Sequence, residues 1–286
     1  MKILIGYNGS QTAEAALDDL RQAGLPDEAE VIILTVAEVC LPPQNTEEAG
    51  VFARRAQERL RKEFPFWKIT AEITYGSPAQ EILAKAEDFK PDLIVVGDQC
   101  RSLSKGSTFL RRTSHKIMDE AKCSVRITRG KIDADKKTSR IIIGFDGSDG
   151  AWKAVEEAAS RNWKQKSEVH LVVVSDSTVP SSIGRFVAPV SSLFDEVKIV
   201  RRQMEKLAEA PLQKLKNAGL SATLSVGAGN PKEVLLELAE RWNADLIFVG
   251  PNSLSNSFAR NLLGSVSASV AASAECSVEV VRKTRN

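Results

Sequence analysis

Two stretches of the chain carry residue types that could hold an anion. In the first, Gly250 is followed by Pro251, Asn252 and Ser253, and, with ten residues between, by Gly264, Ser265, Val266 and Ser267. Glycine lets a backbone turn and approach a ligand closely. A Gly-Ser-Val-Ser run at the head of a helix presents unpaired N–H groups, hydroxyls and the positive end of the helix dipole, which suits phosphate. The plainer alternative is that Gly264 to Ser267 only caps a helix. The second stretch, Phe145-Asp146-Gly147-Ser148, ends a β-branched apolar run and places a carboxylate where a strand turns sharply into a helix. Asp149 or Ser148 is then the helix N-cap.

Other chemistries find little support. The segment from Gly144 to Gly150 fits neither the dinucleotide fingerprint nor the P-loop. His115 and His170, the two histidines, form no metal cluster and accompany no Gly-x-Ser-x-Gly elbow. Cys40, Cys100, Cys123 and Cys276 fit neither Cys-x-x-Cys nor a disulfide framework, which favours a reducing cytoplasm. Cys100, beside Arg101, reads as a spectator thiol before it reads as a reactive one. A net charge of +2, with the linker bases Lys131, Lys136 and Lys137, gives no pull toward nucleic acid or membrane. No apolar run approaches the roughly 20 residues of a membrane span. The opening Met-Lys enters a strand at once, leaving no room for a signal peptide.

The elements that must position these residues alternate. The almost uniformly apolar run 31–36 reads as a parallel strand covered on both sides, and 92–97 reads as another buried strand. Segments with helical apolar spacing lie between them, giving β-α-β-α-β-α-β-α-β with right-handed crossovers. The series then repeats. Lys2 to Ser10 matches Arg140 to Ser148 position by position, with Asn8 where the second copy has Asp146. Gly147 lies 138 residues after Gly9, whereas Gly229, Gly250 and Cys276 lie 153 after Gly76, Gly97 and Cys123, so the second copy has gained 15 residues. The surplus falls in the Ser175 to Ser192 loop, either a lid, a partner surface or a harmless insertion, and Pro211 kinks the helix that follows or starts a fresh turn. Trp152, Trp163 and Trp242 read as packing residues on helices. The domains are 1–129 and 139–286, joined by a linker at 130–138. Each is an open, twisted, parallel five-stranded sheet with helices on both faces, Rossmann-like.

Both halves resemble universal stress protein domains. The likeness rests on the strand-Asp-Gly-Ser opening, Gly76-Ser77-Pro78 and Gly229-Asn230-Pro231, the Ala-Asp-Leu-Ile-Phe-Val-Gly run, the Gly-Ser-Val-Ser segment and the closing Cys-Ser-Val strands. What the resemblance implies is a soluble tandem stress-response protein whose second half binds ATP or ADP, with Mg as an optional companion. Asp146, Gly147 and Ser148 would meet the nucleoside and Val173 or Val174 would lie against adenine. Gly250, Asn252 and Ser253 would sit near ribose, and Gly264, Ser265, Val266 and Ser267 would cradle phosphates. Ser253 stands where the family motif has its second glycine, and the spacing is one residue longer than the motif's. The first half departs further, with Asn8 for Asp, Cys100 for the second glycine, and Arg111 and Arg112 where the second half has Gly264 and Ser265. It is expected to be degenerate, its arginines filling the hollow a phosphate needs. The resemblance also implies a pseudo-dimer joined through Ser124 to Thr128 against Ser277 to Val281, with a homodimer left open. A regulator or sensor is the leading function and a scaffold without small ligand the alternative. No residue is an evident base for hydrolysis, so at most slow ATPase activity is expected.

Overall fold

The computed structural model describes residues 1–37, 45–98, 108–129, 138–163, 167–175, 190–251 and 263–282. The N-terminal half runs β1 (Lys2–Gly6), α1 (Gln11–Asp19), β2 (Glu30–Ala37), α2 (Asn45–Glu63), β3 (Lys68–Tyr75), α3 (Pro78–Phe89), β4 (Leu93–Gly97), α4 (Thr108–Glu120) and β5 (Ser124–Thr128). The C-terminal half repeats it with β6 (Arg140–Gly144), α5 (Asp149–Ser160), β7 (Glu168–Ser175), α6 (Val190–Asn217), β8 (Ser221–Ala228), α7 (Pro231–Trp242), β9 (Leu246–Val249), α8 (Ser265–Ser273) and β10 (Ser277–Val280). Each half is a parallel sheet, and the two are joined edge to edge, β5 antiparallel to β10. The result is one ten-stranded sheet in the order β3-β2-β1-β4-β5-β10-β9-β6-β7-β8.

Residue alternation along the central strands sorts the core. Leu4, Ile94, Val125 and Ile127 face α3 and α4, and Ile142, Ile247, Val278 and Val280 face α7 and α8, forming one apolar core continuous across the seam. On the opposite face the cores are separate. Ile3, Ile5 and Val95 pack under α1 and α2, and Ile141, Ile143 and Phe248 under α5 and α6. Between them lies a buried polar cluster of Asp19, Arg126, Glu279 and Ser277.

Three expectations change. The 15-residue surplus is shared between the connection at 176–189, against 38–44 in the first half, and a longer helix, since α6 has 28 residues and α2 has 19. Residues 190–192 therefore belong to α6, and Pro211 lies within it rather than starting a new element. Trp163 lies beyond α5, whose last residue is Ser160, and packs toward the other half. The linker at 130–137 is outside the described residues.

Candidate functional site

The turn after β6 is built by local hydrogen bonds. Asp146 Oδ1 accepts from Ser148 N at 2.9 Å, Gly147 takes φ +81°, and Ser148 Oγ accepts from Ala151 N at 3.2 Å as the N-cap of α5. The first half builds the same turn. Asn8 Oδ1 accepts from Ser10 N at 3.1 Å, Gly9 takes φ +72°, and Ser10 Oγ accepts from Ala13 N at 3.3 Å. An amide serves this geometry as well as a carboxylate, so the turn does not explain the acid. What Asp146 adds is a negative charge at an exposed position, with only Oδ1 engaged among the described residues.

This turn forms one wall of a cleft of about 120 Å³ at the carboxyl ends of the C-terminal strands. Gly250 and Pro251 at the end of β9 form another wall, and Val266 and Ser267 of α8 close it. Val172 and Val174 of β7 supply an apolar floor, with Pro231 and Leu235 of α7 beside them. Val173, named with Val174 as a base contact, points to the other face and packs under α5 and α6, because successive strand residues alternate. Of the pair, Val174 lines the cleft. The floor residues Val172, Pro231 and Leu235 were not assigned to the site from the sequence; β7 alternation and the Gly-x-Pro start of α7 were the available signals.

Helix α8 reaches the cleft with an N-terminus that no side chain caps among the described residues. Its N-cap is Gly264, which makes no side-chain capping bond, whereas α5 and α7 are capped by Ser148 and Asn230 side chains. The first-turn N–H groups thus retain the partial positive charge that attracts anions. Ser265 is exposed, while Ser267 is buried and its hydroxyl donates to Gly250 O at 2.6 Å, tying α8 to β9. Gly250 has a packing reason of its own: a Cβ there would lie 2.6 Å from Ala151 N. Gly97 packs the same way, its Cβ falling 3.0 Å from Ala13 N. Asn252 and Ser253 lie outside the described residues.

The equivalent corner of the first half is occupied differently. At the offset of 153, Asp98 stands opposite Pro251. Asp98 is buried and accepts from Arg129 Nη2 at 2.5 Å, and Arg129 Nη1 also reaches Ala274 O, just past the end of α8, at 3.2 Å. Arg282, the equivalent of Arg129, makes no ion pair with a carboxylate among the described residues. It donates to Met118 O, its Nε and Nη1 have no acceptor among the described residues, and burial pulls its pKa below the usual arginine range. Arg111 and Arg112 do not stand at a helix start as Gly264 and Ser265 do. Helix α4 begins at Thr108, so both lie inside its first turns, with side chains outside the description. The charged group placed in this corner is Asp98, buried and paired with Arg129, and it is legible only by setting the two copies side by side.

The remaining candidates are structural. Burial pushes the Cys123 and Cys276 thiols up to about 12, leaving both protonated at neutral pH. Cys40 and Cys100 are outside the described residues. His170 Nδ1 is 2.7 Å from Ser225 Oγ, its ring lies against Trp242, and burial lowers its pKa. His115 lies on α4, half-buried, with Nε2 lacking a partner among the described residues. Among the described residues no group of three or more His, Cys, Asp or Glu could hold a metal ion, and no helix is long and apolar enough to cross a membrane.

A family model described as "Universal stress protein family" matches residues 1–129 and again 137–282. The chain belongs to the universal stress protein family, as a tandem of two such domains. Universal stress protein YxiE of Bacillus subtilis is 28% identical over 147 residues, covering 50% of this chain and 99% of that protein. Universal stress protein Sll1388 of Synechocystis is 25% identical over 150 residues, covering 50% of this chain and 97% of that protein. Over the whole length the fold is similar to the crystal structure of a universal stress protein from Archaeoglobus fulgidus. That match has a TM-score of 0.63 and 18% identity, and covers 98% of each chain. A Pseudomonas aeruginosa protein of unknown function has a TM-score of 0.65 and 15% identity, covering 99% of this chain and 92% of that one.

Proposed function

We propose that the C-terminal domain of this tandem universal stress protein binds an adenine nucleotide, ATP or ADP, and that the protein acts as a stress-response regulator or sensor through that occupancy. The observation that carries the reading is the cleft in which the N-terminus of α8 faces the charged turn at Asp146 across an apolar floor. Phosphates would take the N–H groups of Ser265, Val266 and Ser267, a ribose hydroxyl would donate to Asp146, and the base would lie on Val174. The buried Asp98–Arg129 pair in the matching corner of the first half argues for one nucleotide per chain, because a side-chain ion pair occupies the place where the second half has Pro251 beside its cleft.

Calorimetric titration with ATP, with and without Mg, tests this directly. The expected result is one site per chain and a raised melting temperature. Gly264→Arg should abolish binding by filling the helix start. Asp146→Asn, which keeps the turn as Asn8 does, should weaken it by about tenfold, the loss of one charge-assisted hydrogen bond. A second reading, a scaffold without small ligand, is favoured by the structural reasons already found for Gly250 and for the Asp146 turn. No bound nucleotide in gently purified protein, together with no heat on titration, would select it.

A further inference from the structure

The seam between the halves obeys a near two-fold relation, and its centre breaks that relation chemically. At the offset of 153, Val125 corresponds to Val278 and Ile127 to Val280, and the facing pairs are Val278 with Ile127 and Val280 with Val125. Arg126 and Glu279 are each other's equivalents and face each other in the middle. In an assembly of two identical halves that central residue would meet itself.

Here it meets the opposite charge. Arg126 Nη1 donates to Glu279 Oε2 at 3.2 Å, and Arg126 Nε donates to Asp19. Arg161 Nη1 donates to the same Glu279 Oε2 at 3.0 Å, and its Nη2 to Oε1. Ser277 Oγ donates to the second Asp19 oxygen at 2.9 Å. Signs therefore alternate along Asp19, Arg126, Glu279 and Arg161, with Arg126 1% exposed and Glu279 fully buried. Two N-terminal halves would read Asp19, Arg126, Arg126, Asp19, and two C-terminal halves Arg161, Glu279, Glu279, Arg161. Each half keeps its own counter-ion, but the central contact turns from attraction to repulsion where no solvent screens it.

A steric contact near the same axis points the same way. Asn162 N donates to Gly24 O at 2.8 Å, and these residues are equivalents at the offset of 138. Trp163 lies so close to Gly24 that a Cβ there would be 2.9 Å from the indole ring. A second C-terminal half would bring Asn162, with its side chain, to that place.

We infer that the inner sheet edges β5 and β10 form a heterotypic lock: the edge of the N-terminal half accepts a C-terminal half of this chain, its own or another copy's, and both refuse a like half. The duplication has made the halves partners rather than interchangeable copies.

The test uses two full-length variants, Arg126→Glu and Glu279→Arg. Each alone sets like charges at its own seam and should lower the melting midpoint by about 10 °C, the loss of one buried ion pair. Each should also lose amide-exchange protection in β5 and β10. Co-expressed, they should form a one-to-one heterodimer by native mass spectrometry. The N-terminal half of the Glu279→Arg chain and the C-terminal half of the Arg126→Glu chain together carry every wild-type seam residue. Co-expression gives the same readout if either variant is insoluble alone. Arg126→Lys should remain closed on itself. A variant with wild-type midpoint and protection, a homodimer of either variant with a protected seam, or co-expression without heterodimer would overturn the proposal.

Discussion

The corner at the end of β4 and the corner at the end of β9 descend from one sequence pattern and now hold opposite chemistries. In the N-terminal half Asp98 and Arg129 neutralise each other at 2.5 Å in the protein interior. In the C-terminal half Pro251 stands at the equivalent position, and the cleft opens beside it. The turn geometry, the N-cap serines and the closely packed glycines are shared between the halves, so none of them can be what separates the two corners, whereas the charge of Asp146 in place of Asn8 differs. Features common to both copies report the fold, and the few that differ report what each half was left to do.

The comparison can be broken most severely at its shared part. Gly250→Val would drive a side chain into the first turn of α5 and should cost about 3 kcal/mol or more in urea unfolding, and Gly97→Val against α1 should cost a similar amount. If only one of them is costly, the halves do not share this packing. Next comes the arginine pair. Arg129→Met leaves Asp98 buried without its counter-charge and should destabilise by about 3–5 kcal/mol. Arg282→Met removes a buried guanidinium with one carbonyl partner and should be within about 1 kcal/mol of neutral. Equal losses in chemical denaturation would show that the two corners are not distinct.

Pro251→Asp sharpens the contrast by giving the second corner the acid of the first. ATP affinity should fall about tenfold by calorimetry, a difference of about 1.4 kcal/mol, while the apo protein keeps its wild-type melting point or gains on it. The smallest effects belong to the caps. Ser10→Ala and Ser148→Ala should each cost about 1 kcal/mol and match within a few tenths, because both serines make the same bond to the third residue beyond.

Much of the fold was readable because the parallel strands are uniformly apolar. The strand from Ser124 to Thr128 was bounded correctly from sequence, and the helices opened by Pro78 and Pro231 start at those prolines. The halves and their order followed from the repeated opening at 2–10 and 140–148 and from the glycine and cysteine offsets. What escaped were facts of side chains acting at a distance. Arg126 and Glu279 read as ordinary strand polar residues, because nothing local announces that each is the other's partner across 153 positions. Val173 and Val174 are chemically alike, and only the strand's register decides which one meets the cleft. The offset of 153 set Arg111 and Arg112 at a helix cap, but an offset does not report where a helix begins, and α4 starts at Thr108. Asp98 drew no notice since a lone acid after a strand is common; its meaning came from Arg129, 31 residues later and buried with it.

One consequence of the antiparallel join concerns access from outside. Strand directions reverse at the β5–β10 boundary, so the carboxyl ends of the first five strands and of the last five face opposite poles of the molecule. The Asp98 corner and the Asp146 cleft therefore open away from each other. A macromolecule docking on one pole leaves the other uncovered, and a small solute diffusing to the second pole meets no obstruction from it.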